Sequence, residues 1–196
     1  AITYPKFCDA LILRGIFMLR KKELNWFYQE GASYIYPDAW EKYLAPIPKE
    51  KQDNLMKSYY EILTGNNKKD RYKAAKAWSI WEASTSKLLQ NKKSLHHFEN
   101  EEVADMFARI ECHYFVNKGF FEYDGWLLDQ IDKIRHIPCV IVQGRYDVVC
   151  PMISAWELHK KWPEAEFHII PDSGHSMLEI GIRDKLIDYT NKFSRL

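Results

Sequence analysis

The stretch Ile137–Pro151, I-P-C-V-I-V-Q-G-R-Y-D-V-V-C-P, decides the fold. It opens as an apolar, β-rich run from Cys139 to Val142 and ends at Gly144, the pattern of a strand buried on both faces. Asp147 follows on the loop beyond the strand's carboxyl end, where open α/β sheets place their working groups. A second stretch repeats the design. Phe167–Ile170 reads as a short strand, Pro171 stops it, and Asp172-Ser173-Gly174-His175 puts a histidine on a glycine-bearing loop. The 28 positions from Asp147 to His175 leave room for one helix and one strand.

A lone Asp after a strand is commonly a turn or cap residue, and a lone His is commonly polar surface. Together, each following a strand, an acid that orients and a histidine that moves protons match the last two members of the α/β-hydrolase triad. The third member, a nucleophile on a G-x-S-x-G elbow, is absent from residues 1–196; Gly31-Ala32-Ser33 and Gly174-His175-Ser176 come nearest and do not fit. In this fold the nucleophile precedes the acid and the histidine, so it is expected before Ala1. The chain therefore reads as the C-terminal part of a longer enzyme.

Bulk properties narrow the function classes. A length of 196 residues suits one domain, or one domain with an insertion. The formal charge of +1, with both signs interleaved, offers no nucleic-acid or anionic-membrane footprint. Arg20-Lys21-Lys22 and Lys68-Lys69 read as solvated helix ends. Cys8, Cys112, Cys139 and Cys150 lack C-x-x-C spacing, so neither a zinc site nor a disulfide framework is expected, and reduced thiols in a cytoplasmic protein are the simplest account. No metal or other cofactor is called for. No apolar run approaches the roughly 20 residues of a membrane span. Aromatic residues make up 15% and crowd into the middle of the chain, as suits a pocket for an organic ligand.

Working outward, Ala1–Pro5 reads as a helix end and Ala10–Leu13 as a strand running into Arg14-Gly15. With the two strands above, that makes a sheet of three, narrow for a doubly wound domain. From about Leu19 to Arg135 helical patterns take over: Glu23–Tyr36 closed by Pro37, Ala39–Leu44 capped by Asp38, a helix begun by Pro48 and ended by Gly65, Arg71–Leu89, and Leu127–Arg135. Val103, Phe107, Ile110 and Tyr114 mark the apolar stripe of a further helix. More than a hundred helical residues between two strands of one sheet is an insertion, not a connection. The expected architecture is α/β, an α/β-hydrolase core with an inserted all-helical cap: residues 1–18 core, 19–135 cap and 136–196 core. Pro151 opens a helix running to Trp162, and Ile182, Leu186, Tyr189 and Phe193 give the apolar face of the closing helix.

Two cap carboxylates stand out. Glu82 lies one turn after Trp78 on an aromatic face, and Glu111 one turn after Phe107. A carboxylate at such an edge is usually a boundary residue. Two of them above a triad would favour a substrate carrying a cation such as an ammonium, and reject one without it.

L-I-L-R-G-I-F (11–17), W-F-Y-Q-E-G-A-S (26–33), A-W-S-I-W-E (77–82), F-A-R-I-E-C-H-Y-F (107–115), G-R-Y-D-V-V-C-P (144–151) and S-G-H-S (173–176) resemble the proline iminopeptidases, or prolyl aminopeptidases, along nearly the whole chain. The resemblance implies a Ser-Asp-His triad under a helical cap and release of N-terminal proline from short peptides. It implies Asp147 and His175 as catalytic residues and Glu82 and Glu111 as amine-binding carboxylates with Arg14 beside them. Phe17, Phe27 and Cys150 are implied as the lining for the pyrrolidine ring. It also implies an upstream part of the same enzyme carrying the nucleophile elbow. Two other readings stay open on the residues alone: another lidded hydrolase, such as an epoxide hydrolase or esterase, and a non-catalytic fragment acting as a binding module.

Overall fold

The computed structural model describes residues 1–90 and 100–195. Three strands form a parallel sheet in the order β1 (Leu11–Arg14), β2 (Cys139–Gly144), β3 (Glu166–Ile170). Leu11 pairs with Cys139 and Arg14 with Val142, while Val140 pairs with Glu166 and Gly144 with Ile170. Every residue of β2 is buried, as its unbroken apolar run requires of a central strand.

Alternation along β2 divides two cores. Cys139 and Ile141 join Ile16, Ile134, Leu158 and Trp162 on one side, with Leu11, Leu13 and Phe167 packed against them. Val140 and Val142 join Ile170, Ile182 and Tyr189 on the other, with Ile12, Leu186 and Phe193. The first side is covered by the helix Met152–Lys161, entered through Pro151, and the second by Ile180–Phe193, whose expected apolar face packs as its spacing demands.

The chain separates into two compact units: Ala1–Met18, Ser86–Leu88 and Gly125–Leu196 in one, Leu19–Thr85 and Leu89–Asp124 in the other. The second, all-helical among its described residues, contains α1 (Lys21–Tyr28), α2 (Pro37–Leu44), α3 (Leu55–Leu63), α4 (Lys68–Thr85) and α5 (Glu101–Val116). In the first are α6 (Trp126–Asp129), α7 (Met152–Lys161) and α8 (Ile180–Phe193). The division falls at Asp124, not at 135, because Leu127, Leu128, Ile131 and Ile134 are spent on the sheet's core.

Local chemistry explains where the elements depart from the periodicity. Pro5 starts a 3-10 turn (Pro5–Phe7) where a helix end was expected. The helix expected over Glu23–Tyr36 stops at Tyr28, where Gln29 leaves the helical region at φ −126°, and Gly31 at φ 149°, where a Cβ would stand 2.5 Å from the Trp26 ring, leads into the 3-10 turn Ala32–Tyr34. Asp38 lies inside α2 and does not cap it, and the segment after Pro48 runs as a 3-10 helix (Lys49–Asn54) until Asn54 caps α3 through Lys57 N–H. Leu127–Arg135 is α6 followed by a 3-10 turn, not one helix.

The stripe on α5 is the main correction. Ile110 is 61% exposed and Tyr114 49%, whereas Ala104, Asp105, Ala108 and Cys112 are buried. α5 packs on α4, and its buried residues are small, while α4 buries Ala74 and Ala75 beside the large ring of Trp78, whose Nε1–H reaches Glu111. Arg71 Nε donating to Asp105 Oδ1 at 3.0 Å ties the same two helices.

Candidate active site

The loop after β2 and the loop after β3 meet through their backbones. Arg145 N–H donates to the Ile170 carbonyl and Tyr146 N–H to the Ser173 carbonyl, at 2.9 and 3.0 Å. So close an approach needs a glycine at the end of β2: a Cβ on Gly144 would stand 1.9 Å from the Gly174 carbonyl oxygen. The loops thereby bring Asp147 to His175, whose Nδ1 lies 2.9 Å from Asp147 Oδ2 and 3.2 Å from Oδ1.

Asp147 is buried, and its carboxylate is satisfied from more than one side. Oδ1 accepts Cys150 N–H at 2.8 Å and Oδ2 accepts Gln143 Nε2 at 3.0 Å. Gln143, itself fully buried, also donates to the Cys150 carbonyl at 2.9 Å and accepts Ile16 N–H at 3.3 Å, so both ends of its amide are used. Such a shell keeps an ionised acid in place beside an imidazole. With Nδ1 committed to Asp147, Nε2 is the ring nitrogen left to take and return a proton. Arg14, at the end of β1, donates through Nη1 to the His175 carbonyl and so holds this loop. Cys150 is 6% exposed and meets the acid through its backbone amide; Phe17 is half-buried in the same unit.

The helical unit brings together a second set. Glu82 Oε1 accepts the Tyr28 hydroxyl, and Glu111 Oε2 accepts Trp78 Nε1–H at 2.8 Å. The Tyr28 and Trp78 rings stack at 4.6 Å, with Phe115 5.3 Å from the first and 6.2 Å from the second. Two acids expected from different helices therefore share one aromatic wall. Burial and the nearby charge of Glu111 push Glu82 well above the usual carboxylate range, against the hydrogen bond from Tyr28. Burial pushes Glu111 up to about 7, against the hydrogen bond from Trp78. Burial first, then the charges of Glu82 and Glu111, hold the Tyr28 phenol well above its ordinary value, so it stays a donor. An acid pair in this state gains from a bound cation, which restores the charge balance that burial opposes. Phe27 belongs to the same unit with 2% of its surface exposed, edge-on to Tyr28 at 4.8 Å and 5.2 Å from Trp81.

Three further contributors are Gln143, Tyr28 and Trp78, none singled out as a site residue by the sequence. Gln143 alone carried a local signal, as the one polar side chain in an otherwise apolar strand. The others act across long sequence separations.

A family model described as alpha/beta hydrolase fold matches residues 1–181. The chain is 59% identical over 191 residues to a protein of Leptolyngbya boryana named "Probable proline iminopeptidase", covering 97% of this chain and 60% of that protein. It is 50% identical over 195 residues to a proline iminopeptidase of Arabidopsis thaliana, covering 99% and 51%. The proline iminopeptidase of Xylella fastidiosa strain 9a5c is 49% identical over 193 residues, with 98% and 62% covered. The chain thus spans between about half and three fifths of the length of these relatives. The parallel sheet, the acid and the histidine on successive strand-end loops and the match over 181 residues agree: the chain belongs to the alpha/beta hydrolase fold family.

Proposed function

We propose that this chain supplies the acid, the histidine and the amine-binding cap of an aminopeptidase that releases N-terminal proline from peptides. The observation that carries the reading is the 2.9 Å contact of His175 Nδ1 with a buried, fully hydrogen-bonded Asp147. Relatives at 49–59% identity that bear the name proline iminopeptidase support the substrate.

In this reading a serine on a G-x-S-x-G elbow, a motif that residues 1–196 do not contain, attacks the carbonyl of the first residue. His175 Nε2 takes the hydroxyl proton as the C–O bond forms, then delivers it to the leaving amine as the C–N bond breaks. Water repeats the cycle on the acyl-enzyme. Asp147 holds the tautomer and stabilises the imidazolium. In this reading Glu82 and Glu111 bind the ammonium of the N-terminal residue. Four free thiols and an even charge balance fit a cytoplasmic setting. Among the described residues no helix is long and apolar enough to cross a membrane.

The test compares a proline arylamide with its N-acetyl derivative and with a small activated ester, using the protein that joins this chain to its nucleophile elbow. The reading expects a strong preference for the free amine. Equal rates with and without acetylation would replace it with a general lidded esterase.

A further inference from the structure

Three consecutive amides around the catalytic histidine are taken by two acceptors. His175 N–H and Ser176 N–H both donate to the Ser86 carbonyl, at 3.0 and 2.8 Å. Gly174 N–H donates to the Glu179 carboxylate, at 3.0 Å to Oε1 and 3.1 Å to Oε2. Glu179 Oε2 also accepts Leu88 N–H at 3.4 Å. One half-buried carboxylate therefore pins both partners of the arrangement: the loop that bears His175 and the short segment Ser86–Leu88 that packs with the core. That segment directly follows α4, the helix carrying Glu82.

Glu179 stands at the N-cap of α8, where a side chain ordinarily serves its own helix, yet it makes no cap hydrogen bond there. Its oxygens turn back to the loop instead. Nothing in the hydrogen-bonding of α8 calls for a carboxylate at this position. The Arg14–His175 carbonyl contact and the Tyr146–Ser173 contact hold the loop on its other sides, and neither touches the Gly174 amide.

We propose that Glu179 is a positioning residue for the catalytic histidine, fixing the backbone from which the imidazole projects by clasping Gly174 and Leu88 together. The role rests on the hydrolytic reading above, since it acts through His175. Charge-assisted hydrogen bonds to backbone amides are directional, and a displacement of about 1 Å at a proton-transfer group costs about 10²-fold in rate.

The experiment measures kcat and KM on a proline arylamide and on a small activated ester, with hydrogen exchange of the peptides covering 139–144 and 173–176. It uses the whole enzyme as wild type, Glu179→Ala and Glu179→Gln. Glu179→Ala is expected to lower kcat roughly 10–100-fold on both substrates, leave KM within about threefold, and speed exchange at 173–176 but not in β2. Glu179→Gln keeps an acceptor oxygen for the Gly174 amide and is expected to recover most of that loss. A Glu179→Ala enzyme within twofold of wild type in kcat would overturn the proposal. So would a loss confined to KM, or exchange rising equally in β2, which marks general destabilisation. A wild type active on the ester but not on the arylamide ends the prolyl reading and leaves Glu179 decided by the ester data. A wild type inert to both ends the hydrolytic reading and the positioning role with it.

Discussion

At the scale of single residues, the proposed catalytic pair and the acid pair sit in different surroundings. Asp147 accepts hydrogen bonds from Cys150 N–H and Gln143 Nε2, which hold its carboxylate against His175. Asp147→Asn removes the orienting charge while keeping the shape, and kcat should fall by about 10⁴, the loss known for the corresponding change in the chymotrypsin triad. His175→Ala should lose at least as much, and a drop below tenfold in either variant would remove the assignment. Glu82 and Glu111 instead sit where burial opposes charge, and a bound ammonium offsets that opposition through hydrogen bonds worth about 1.5–3 kcal/mol. Glu82→Gln or Glu111→Gln should therefore cut kcat/KM for a free-amine proline substrate by roughly 10–200-fold and barely change it for an ester without an amine. Equal losses on both substrates would mark a damaged cap, and no loss on either would leave the pair as ordinary boundary residues. Asp147 and His175 were legible in the sequence because each sits just past its own strand, a purely local signal. Gln143 was legible only as the one polar residue of an apolar strand, with Ile16 127 residues away, and Glu179 not at all, because the Gly174 and Leu88 amides it binds carry no side-chain signal.

Among the elements, the strands came through with their boundaries nearly intact because a buried central strand admits little but apolar residues. Among the described residues the helices came through in place, though several are shorter than expected, Leu127–Arg135 is divided, and α5 buries a different face. On α5 the eye follows Val103, Phe107, Ile110 and Tyr114, the large apolar positions, and passes over Ala104, Ala108 and Cys112. Yet the buried residues of α5 are the small ones, and α4, on which it packs, buries Ala74 and Ala75 as well. Composition along one helix cannot show that its neighbour is also small. The distinction is measurable in denaturant. Ala108→Leu puts three extra carbons where none of the surface is exposed, and overpacking should cost about 1–3 kcal/mol. Ile110→Ala, on a side chain 61% exposed, should change stability by about 0.5 kcal/mol or less. The reverse ranking would restore the stripe as the buried face. On α1 the periodic pattern runs on to Tyr36, whereas the helix ends at Tyr28 and Gly31, at φ 149°, keeps the chain from resuming it before the 3-10 turn Ala32–Tyr34.

For the whole molecule, the titrating groups that burial and pairing displace set how stability follows pH. Glu164 and Glu166 are held below the usual carboxylate range, first by hydrogen bonds from Arg135 and Lys192 respectively. Their contribution is present above the unfolded value and lost as pH falls through the lower folded one, a small effect because both are exposed. Glu111 and Glu82 work in the other direction. Their folded forms hold a proton that the unfolded chain has already released, so stability declines as pH rises from about 4.5 through about 7 for Glu111, and further for Glu82. His168, lowered mainly by burial, returns a little stability as pH rises toward 6.5 but is only one partly buried group. The melting temperature of the unliganded chain should therefore peak near pH 5 and decline toward pH 8. Glu111→Gln carries the mechanism to a single side chain: it keeps an acceptor for Trp78 Nε1–H and cannot ionise. At pH 8 the variant should be more stable than wild type by about 1–3 kcal/mol, which is about 3–10 °C for a chain of this length. Below pH 4.5, where Glu111 is protonated in both states, the two curves should converge. A variant less stable than wild type at pH 8 would mean that Glu111 is charged and already stabilised by a protein partner in the free protein, which would count against an ammonium-binding role.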